Sequence, residues 1–212
     1  MRILSPTLRA ILLLLVVASP PILPVAHADP ITLGTVLSGA NEVPQVTTPG
    51  TGVAFAVLDP TTETLQIVSA FFGLTSNTTA AHIHCCAPLG TNAGVATMVP
   101  AFTGFPLGVT QGVYLSPVFD LSQASFYNPA FITLQGSLAA AETAFISGLE
   151  NGFSYFNIHT ANNPAGEIRG QLLPVGTVAV PGPILGAGLP GLVAACAGLL
   201  ALARRRRRLA AI

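Results

Sequence analysis

GVAFAVLDPTTETLQIVSAFF, residues 52–72, decides the fold. Two short runs, Gly52 to Leu58 and Thr64 to Phe72, are rich in Val, Ile, Phe and Thr and are punctuated by Asp59 and Pro60, which reads as strand, turn, strand. Working outward, Ile31 to Leu37, Ala80 to His84, Phe153 to His159 and Glu167 to Leu173 have the same character. Short strands at such spacing predict an all-β domain, an antiparallel sandwich or barrel. One segment differs: Leu138 to Leu149 is Ala-rich, carries Leu138, Ala141, Phe145 and Leu149 at helical spacing and is followed by Gly152, so one short helix is expected there. Between them residues 99–129 read as a loop tract interrupted by Pro100, Pro106, Pro117 and Pro129. Its Phe102, Phe105, Tyr114 and Tyr127 either cap the core or stand exposed to meet carbohydrate or protein.

The two ends have another composition. The 212 residues are 51% hydrophobic and only 8% charged, an excess that points to membrane-directed segments. Arg2 and Arg9 precede an uncharged run from Ala10 to Ala18, and Ala26-His27-Ala28 supplies a small-x-small pattern before Asp29. Residues 1–28 therefore read as a secretory signal peptide cut by signal peptidase. Residues 181–203 carry no charge and end in Arg204, Arg205, Arg206, Arg207 and Arg208. That is the length of a transmembrane helix, and the arginines of residues 204–212 assign the tail to the cytoplasmic side, with the preceding domain outside. Residues 29–173 form the one domain between these signals and residues 174–180 a linker.

Val180-Pro181-Gly182-Pro183, the apolar run and the terminal arginine block together resemble the PEP-CTERM sorting signal, with Gly182 where that pattern usually has Glu. The resemblance implies recognition by an exosortase-type membrane protease, removal of the tail, and delivery to the cell surface or an exopolysaccharide matrix. A permanent membrane anchor is the simpler reading of the same residues. All eight acidic residues lie between the two signals, where Arg169 is the single basic one, so the exported part carries a net charge of −7. Such a domain does not favour nucleic acid, and the arginines belong to the membrane boundary rather than to a nucleic-acid patch.

His82, His84 and His159 are the histidines of the exported part, and all fall in expected strands. Alternation puts His82 and His84 on one face with Ile83 on the other, and Asn157 with His159 opposite Ile158. Three imidazoles converge if the two strands are neighbours. Glu167 and Arg169 alternate in the same way around Ile168. Two histidines at i and i+2 on a strand suit copper or zinc, and Cys85 and Cys86 offer soft additional ligands. The other reading is a hydrogen-bonded network of the histidines with Asn157, Glu167, Arg169 and backbone groups. For the cysteines a disulfide between neighbours and a link between chains also stand open.

Leu37-Ser38-Gly39-Ala40-Asn41-Glu42-Val43-Pro44, then Ala80-Ala81-His82-Ile83-His84, then Tyr155-Phe156-Asn157-Ile158-His159-Thr160 with Pro164-Ala165-Gly166-Glu167-Ile168-Arg169-Gly170-Gln171-Leu172, resemble a CHRD domain over about residues 31–174. The resemblance implies an extracellular immunoglobulin-like or superoxide-dismutase-like β-sandwich. No Gly-x-Ser-x-Gly, phosphate-loop or dinucleotide pattern is present, so any enzyme would have to use the histidines. Three exported histidines are few for a redox metal site, which needs about four ligands and an open approach. The expected function is a non-enzymatic surface or matrix module with a His-based metal site; the alternative is a copper or zinc metalloprotein with dismutase-like redox activity.

Overall fold

In the two runs that open the sequence reading, Ala54, Ala56 and Leu58 of one and Leu65, Ile67 and Phe71 of the other are buried. The residues between them face outward, since successive side chains of an extended chain point to opposite faces. The computed structural model describes residues 28–176. In chain order the strands are β1 (Ile31–Ser38), β2 (Thr51–Asp59), β3 (Thr64–Phe72), β4 (Thr78–Cys85), β5 (Gly94–Val95), β6 (Gly112–Leu115) and β7 (Phe119–Asp120). Helices α1 (Pro129–Gln135) and α2 (Leu138–Glu150) follow, then β8 (Ser154–Thr160), β9 (Ile168–Gln171) and β10 (Leu173–Pro174).

The strands pair antiparallel in the order β5-β4-β8-β9-β1-β2-β3-β6, with β10 beside β1 and β7 beside β3. The domain is mostly β, a curled sheet forming a half-barrel with two short helices. An antiparallel sandwich or barrel was expected; the Ser38–Arg169 pairing between β1 and β9 carries one ladder across both halves, and strand twist curls it.

The concave face holds the core. Leu33, Leu37, Ile67, Ile83, Phe156, Ile158 and Ile168 point into it, and α2 closes it through Ala141, Phe145 and Leu149. A half-barrel leaves a gap along its open side, and the aromatic tract fills it. Phe102 stacks on Phe156 at 6.0 Å and Phe105 on Phe71 at 5.6 Å. Phe102, Phe105, Tyr114 and Tyr127 are all buried, so the reading of them as an exposed contact surface is corrected: they are core.

One helix was expected and two are present. Before α1, the Asn128 side chain accepts from Ala130 N–H and Pro129 takes the first turn, where its missing N–H is no loss. Gly136 ends the helix at φ 90°, a left-handed turn that glycine adopts readily. Ser137 then caps α2 at Ala140 N–H. The start of the expected linker is also ordered: Pro174 belongs to β10, and Val175 N–H donates to Thr32 O.

Of the signal peptide only Ala28 lies among the described residues. Ala26, the motif Val180-Pro181-Gly182-Pro183, the span 181–203 and the arginine tail with Arg204, Arg205 and Arg206 all lie outside them. Among the described residues no helix is long and apolar enough to cross a membrane.

Candidate metal centre

The convex face of β4, β8 and β9 carries the polar residues of the sequence motifs. Register sets His82 opposite Asn157 and Asn157 opposite Arg169. His84 faces Tyr155, and His159 lies beside Ala80. The strands are thus neighbours, and the three imidazoles meet. His82 Nδ1 is 3.2 Å from His159 Nε2, and His84 Nε2 is 3.5 Å from the same atom. All three rings are buried, at 6–7% exposure, and one nitrogen from each lies within 4.8 Å of the others.

The outer partners fix where the ring protons are. His84 Nδ1 lies 2.9 Å from Ala93 O and His159 Nδ1 3.0 Å from Pro164 O. A carbonyl only accepts, so both Nδ1 atoms carry the proton and both Nε2 atoms are left as bare lone pairs. The 3.5 Å contact between those two Nε2 atoms is therefore acceptor against acceptor. His82 has one proton to place. On Nδ1 it would serve His159 but leave Nε2, which is buried and makes no hydrogen bond, without a donor or a role. On Nε2 it would turn a third lone pair toward the cluster. Pro100 O acts on this ring in the sense that holds its proton, though short of hydrogen-bond geometry at Nε2.

A proton on one Nε2 would relieve the conflict, but burial disfavours it near pH 7. Burial, then the neighbouring His159 and His84, lower the His82 pKa to about 4. Burial also lowers His84 to about 4 against the Ala93 hydrogen bond, and lowers His159 against that of Pro164. The rings are neutral near pH 7, the form that binds metal. Ligand histidines characteristically donate their other N–H to a carbonyl or carboxylate, as His84 and His159 do here. Two nitrogens each about 2.0–2.1 Å from one tetrahedral ion would lie roughly 3.3 Å apart; the two pairs that share His159 Nε2 stand at 3.2 and 3.5 Å, and all three nitrogens lie within 4.8 Å. The donor set fits copper or zinc.

Around the rings is a shell that holds them. Tyr155 stacks on His84 with ring centroids 4.7 Å apart, and its hydroxyl shares the Ala93 carbonyl with that ring. The Arg169 guanidinium lies 4.5 Å over Tyr155. Arg169 Nε also donates to Asn41 O at 2.6 Å and Nη1 to Asn92 Oδ1 at 2.6 Å, pinning two loops over the face. Glu42 lies 3.9 Å from Arg169 Nε. Burial pushes its carboxyl up to about 7, against the lowering influence of Arg169 and Asn157.

The expected network is only partly present. Asn157 is buried between His82 and Arg169, with its Oδ1 unpartnered. Glu167 does not join the histidines; it accepts from Thr48, Thr75 and Thr160. Burial raises its pKa, but those bonds outweigh it and leave the carboxyl below its ordinary value.

Cys85 and Cys86 are corrected as metal ligands. They form a disulfide with each other, which also removes the reading of a link between chains. Cys85 follows His84 in β4 and so points to the concave face, where both sulfurs lie within 3.7 Å of Ala144 O on α2. Tyr155 and Glu42 were not singled out from the sequence. Tyr155 precedes Asn157 and His159 at the same alternation, a signal that could have found it. Nothing in the residues around Glu42 announces its burial.

A family model described as CHRD domain matches residues 33–172. No curated protein and no solved structure matches the chain.

Proposed function

The chain belongs to the CHRD domain family, and from that footing we propose that it is an exported surface or matrix module holding one copper or zinc ion through His82, His84 and His159. One observation carries the metal reading: His84 and His159 face each other with two bare lone pairs in a buried site. A cation among the three rings resolves that conflict. The ion would supply a cross-link between β4 and β8, while the Ala93 and Pro164 carbonyls and the Tyr155 ring orient the ligands. The immunoglobulin-like or superoxide-dismutase-like form of the β domain belongs to the same proposal, supported by the family resemblance and by the closure of the sheet around its aromatic filling.

Export is supported by the residue pattern of the two ends and by a disulfide, which persists in oxidising compartments. Signal peptidase and an exosortase-type protease are the processing partners of this reading, the membrane its first address, and the cell surface or an exopolysaccharide matrix its last. Burial of all three rings leaves little approach for a substrate, which favours a binding module over dismutase-like turnover.

Elemental mass spectrometry of the full-length chain, purified without chelator, tests the metal. About one copper or zinc per chain is expected, lost in a His82→Ala, His84→Ala variant whose circular dichroism stays β-type. A folded wild type that stays empty after exposure to both ions would sink the metal reading. The mass of the surface product tests the processing: a product that keeps Arg204 to Arg208 rules out tail removal.

A further inference from the structure

The convex face has two halves that are covered in opposite ways. Over β4, β8 and β9 it is polar, yet the loops pinned by Arg169 roof it. Over β1, β2, β3 and β6 it is apolar, yet no described element lies on it. Register aligns its side chains in rows across the strands: Val36, Val53, Ala70 and Val113 form one, and Gly34, Phe55, Val68 and Leu115 the next. Val57 and Phe72 extend the face on either side. Val113 is 75% exposed, Leu115 66%, Val36 62% and Phe72 58%. No charged side chain interrupts the rows; Asp59 stands at the rim, where it accepts from the Thr61 and Thr62 amides of the turn.

A chain in water gains by covering apolar surface before polar surface, so this arrangement calls for a partner. We infer that the apolar half of the convex face is the contact surface between two copies of this chain. The area is adequate: the exposed parts of these side chains come to on the order of 800 Å² per copy, about what one partner contributes to a standard interface. A hollow of about 320 Å³ lined by Ala70, Phe71, Phe72, Gln111, Gly112 and Val113 opens at one end of this face, with room for an apolar side chain of a second copy. The surface already accepts an apolar neighbour: Val175 packs against Phe55 over Gly34, where a Cβ would lie 2.8 Å from Val175 Cγ1.

Chemistry at the face itself selects the occupant. The net −7 of the exported part repels anionic lipid headgroups and a second copy alike, but the rows carry no charge, so two copies bring no like charges together at the contact and the remaining repulsion is screened by salt. Lipid surfaces are favoured by Lys, Arg, Trp and Tyr, and the rows contain none. Two antiparallel sheets stacked through such faces, about 10 Å apart, would bury both.

Native mass spectrometry of the full-length chain in non-ionic detergent reads the copy number. Two copies are expected for the wild type. A Val68→Asp, Leu115→Asp variant, with both changes on exposed positions, should raise the dissociation constant at least 30-fold and run as one copy. Leu134→Asp, on α1 away from the face, should remain a dimer. A wild type that stays single at tens of micromolar overturns the proposal, whether vesicle flotation then shows the face on lipid or a chain stopped after Gly176 dimerises because residues 177–212 had covered it. A Val68→Asp, Leu115→Asp chain that is folded and still dimeric overturns it too, by placing the contact elsewhere.

Discussion

His82 and Glu42 lie under the same roof of loops but respond to pH in opposite directions. The histidines have folded pKa values below 6.5, about 4 for His82 and His84. Unfolding lets them take up protons, so acid favours the unfolded chain: their contribution to stability is full above pH 6.5 and is lost as pH falls toward 4. Glu42 has a folded pKa near 7, above the ordinary 4.5. Its contribution is full below pH 4.5 and is lost as pH rises through 7. The metal-free protein should therefore be most stable near pH 6.5. Urea melts across pH 4 to 8 check this, and Glu42→Gln, which copies the neutral acid, should match the wild type at pH 4.5 and exceed it progressively up to pH 7. The scale is on the order of 1.4 kcal/mol per pH unit per group. A Glu42→Gln curve parallel to the wild type would show that Glu42 ionises freely in the folded chain.

Among the elements, α2 is where local propensity and tertiary packing disagree. Gly148 sits inside the helix, where replacing glycine by alanine ordinarily stabilises by about 1 kcal/mol. Here a Cβ would strike the sulfurs of Cys85 and Cys86 and the Ser154 hydroxyl. Gly148→Ala should thus destabilise, by about 1–3 kcal/mol, the scale of an overpacked core. Thermal melts at fixed pH measure it, and an unchanged or raised Tm would mean that α2 shifts freely over the disulfide. The helices also show how far element reading goes. The start and stop of α1, Asn128, Pro129 and Gly136, are plain sequence signals. They were hidden by the prolines of a tract that reads as loop, although proline at a first turn favours a helix. For β3 the sequence bounds, Thr64 to Phe72, agree with the structure, because the β-branched and aromatic run is closed by the Asp59-Pro60 turn before it and Gly73 after it.

For the whole molecule, an ion held between β4 and β8 binds the folded chain alone, so it raises stability by mass action. At free metal about 100 times the dissociation constant the gain is about 2.7 kcal/mol, or roughly 5–10 °C in Tm for a domain of this size. Scanning calorimetry with copper or zinc should show that rise, a chelator should reverse it, and the His82→Ala, His84→Ala variant should show none. An equal rise in the variant would put the ion elsewhere. The sequence by itself determined the faces. Period-two alternation separates His82 and His84 from Ile83, and Asn157 and His159 from Ile158, whatever the strands pair with, because it follows from backbone geometry alone. The tertiary structure decided what each face meets. The β4–β8 register brings His159 to both other histidines, while the curl of the sheet turns Phe102 and Tyr127 inward. Loop closure over the convex side buries Glu42, and the packing of α2 on the concave side sets Ala144 against both cysteines at the end of β4. Each of these depends on contacts between residues far apart in the chain, whose energies no local pattern records.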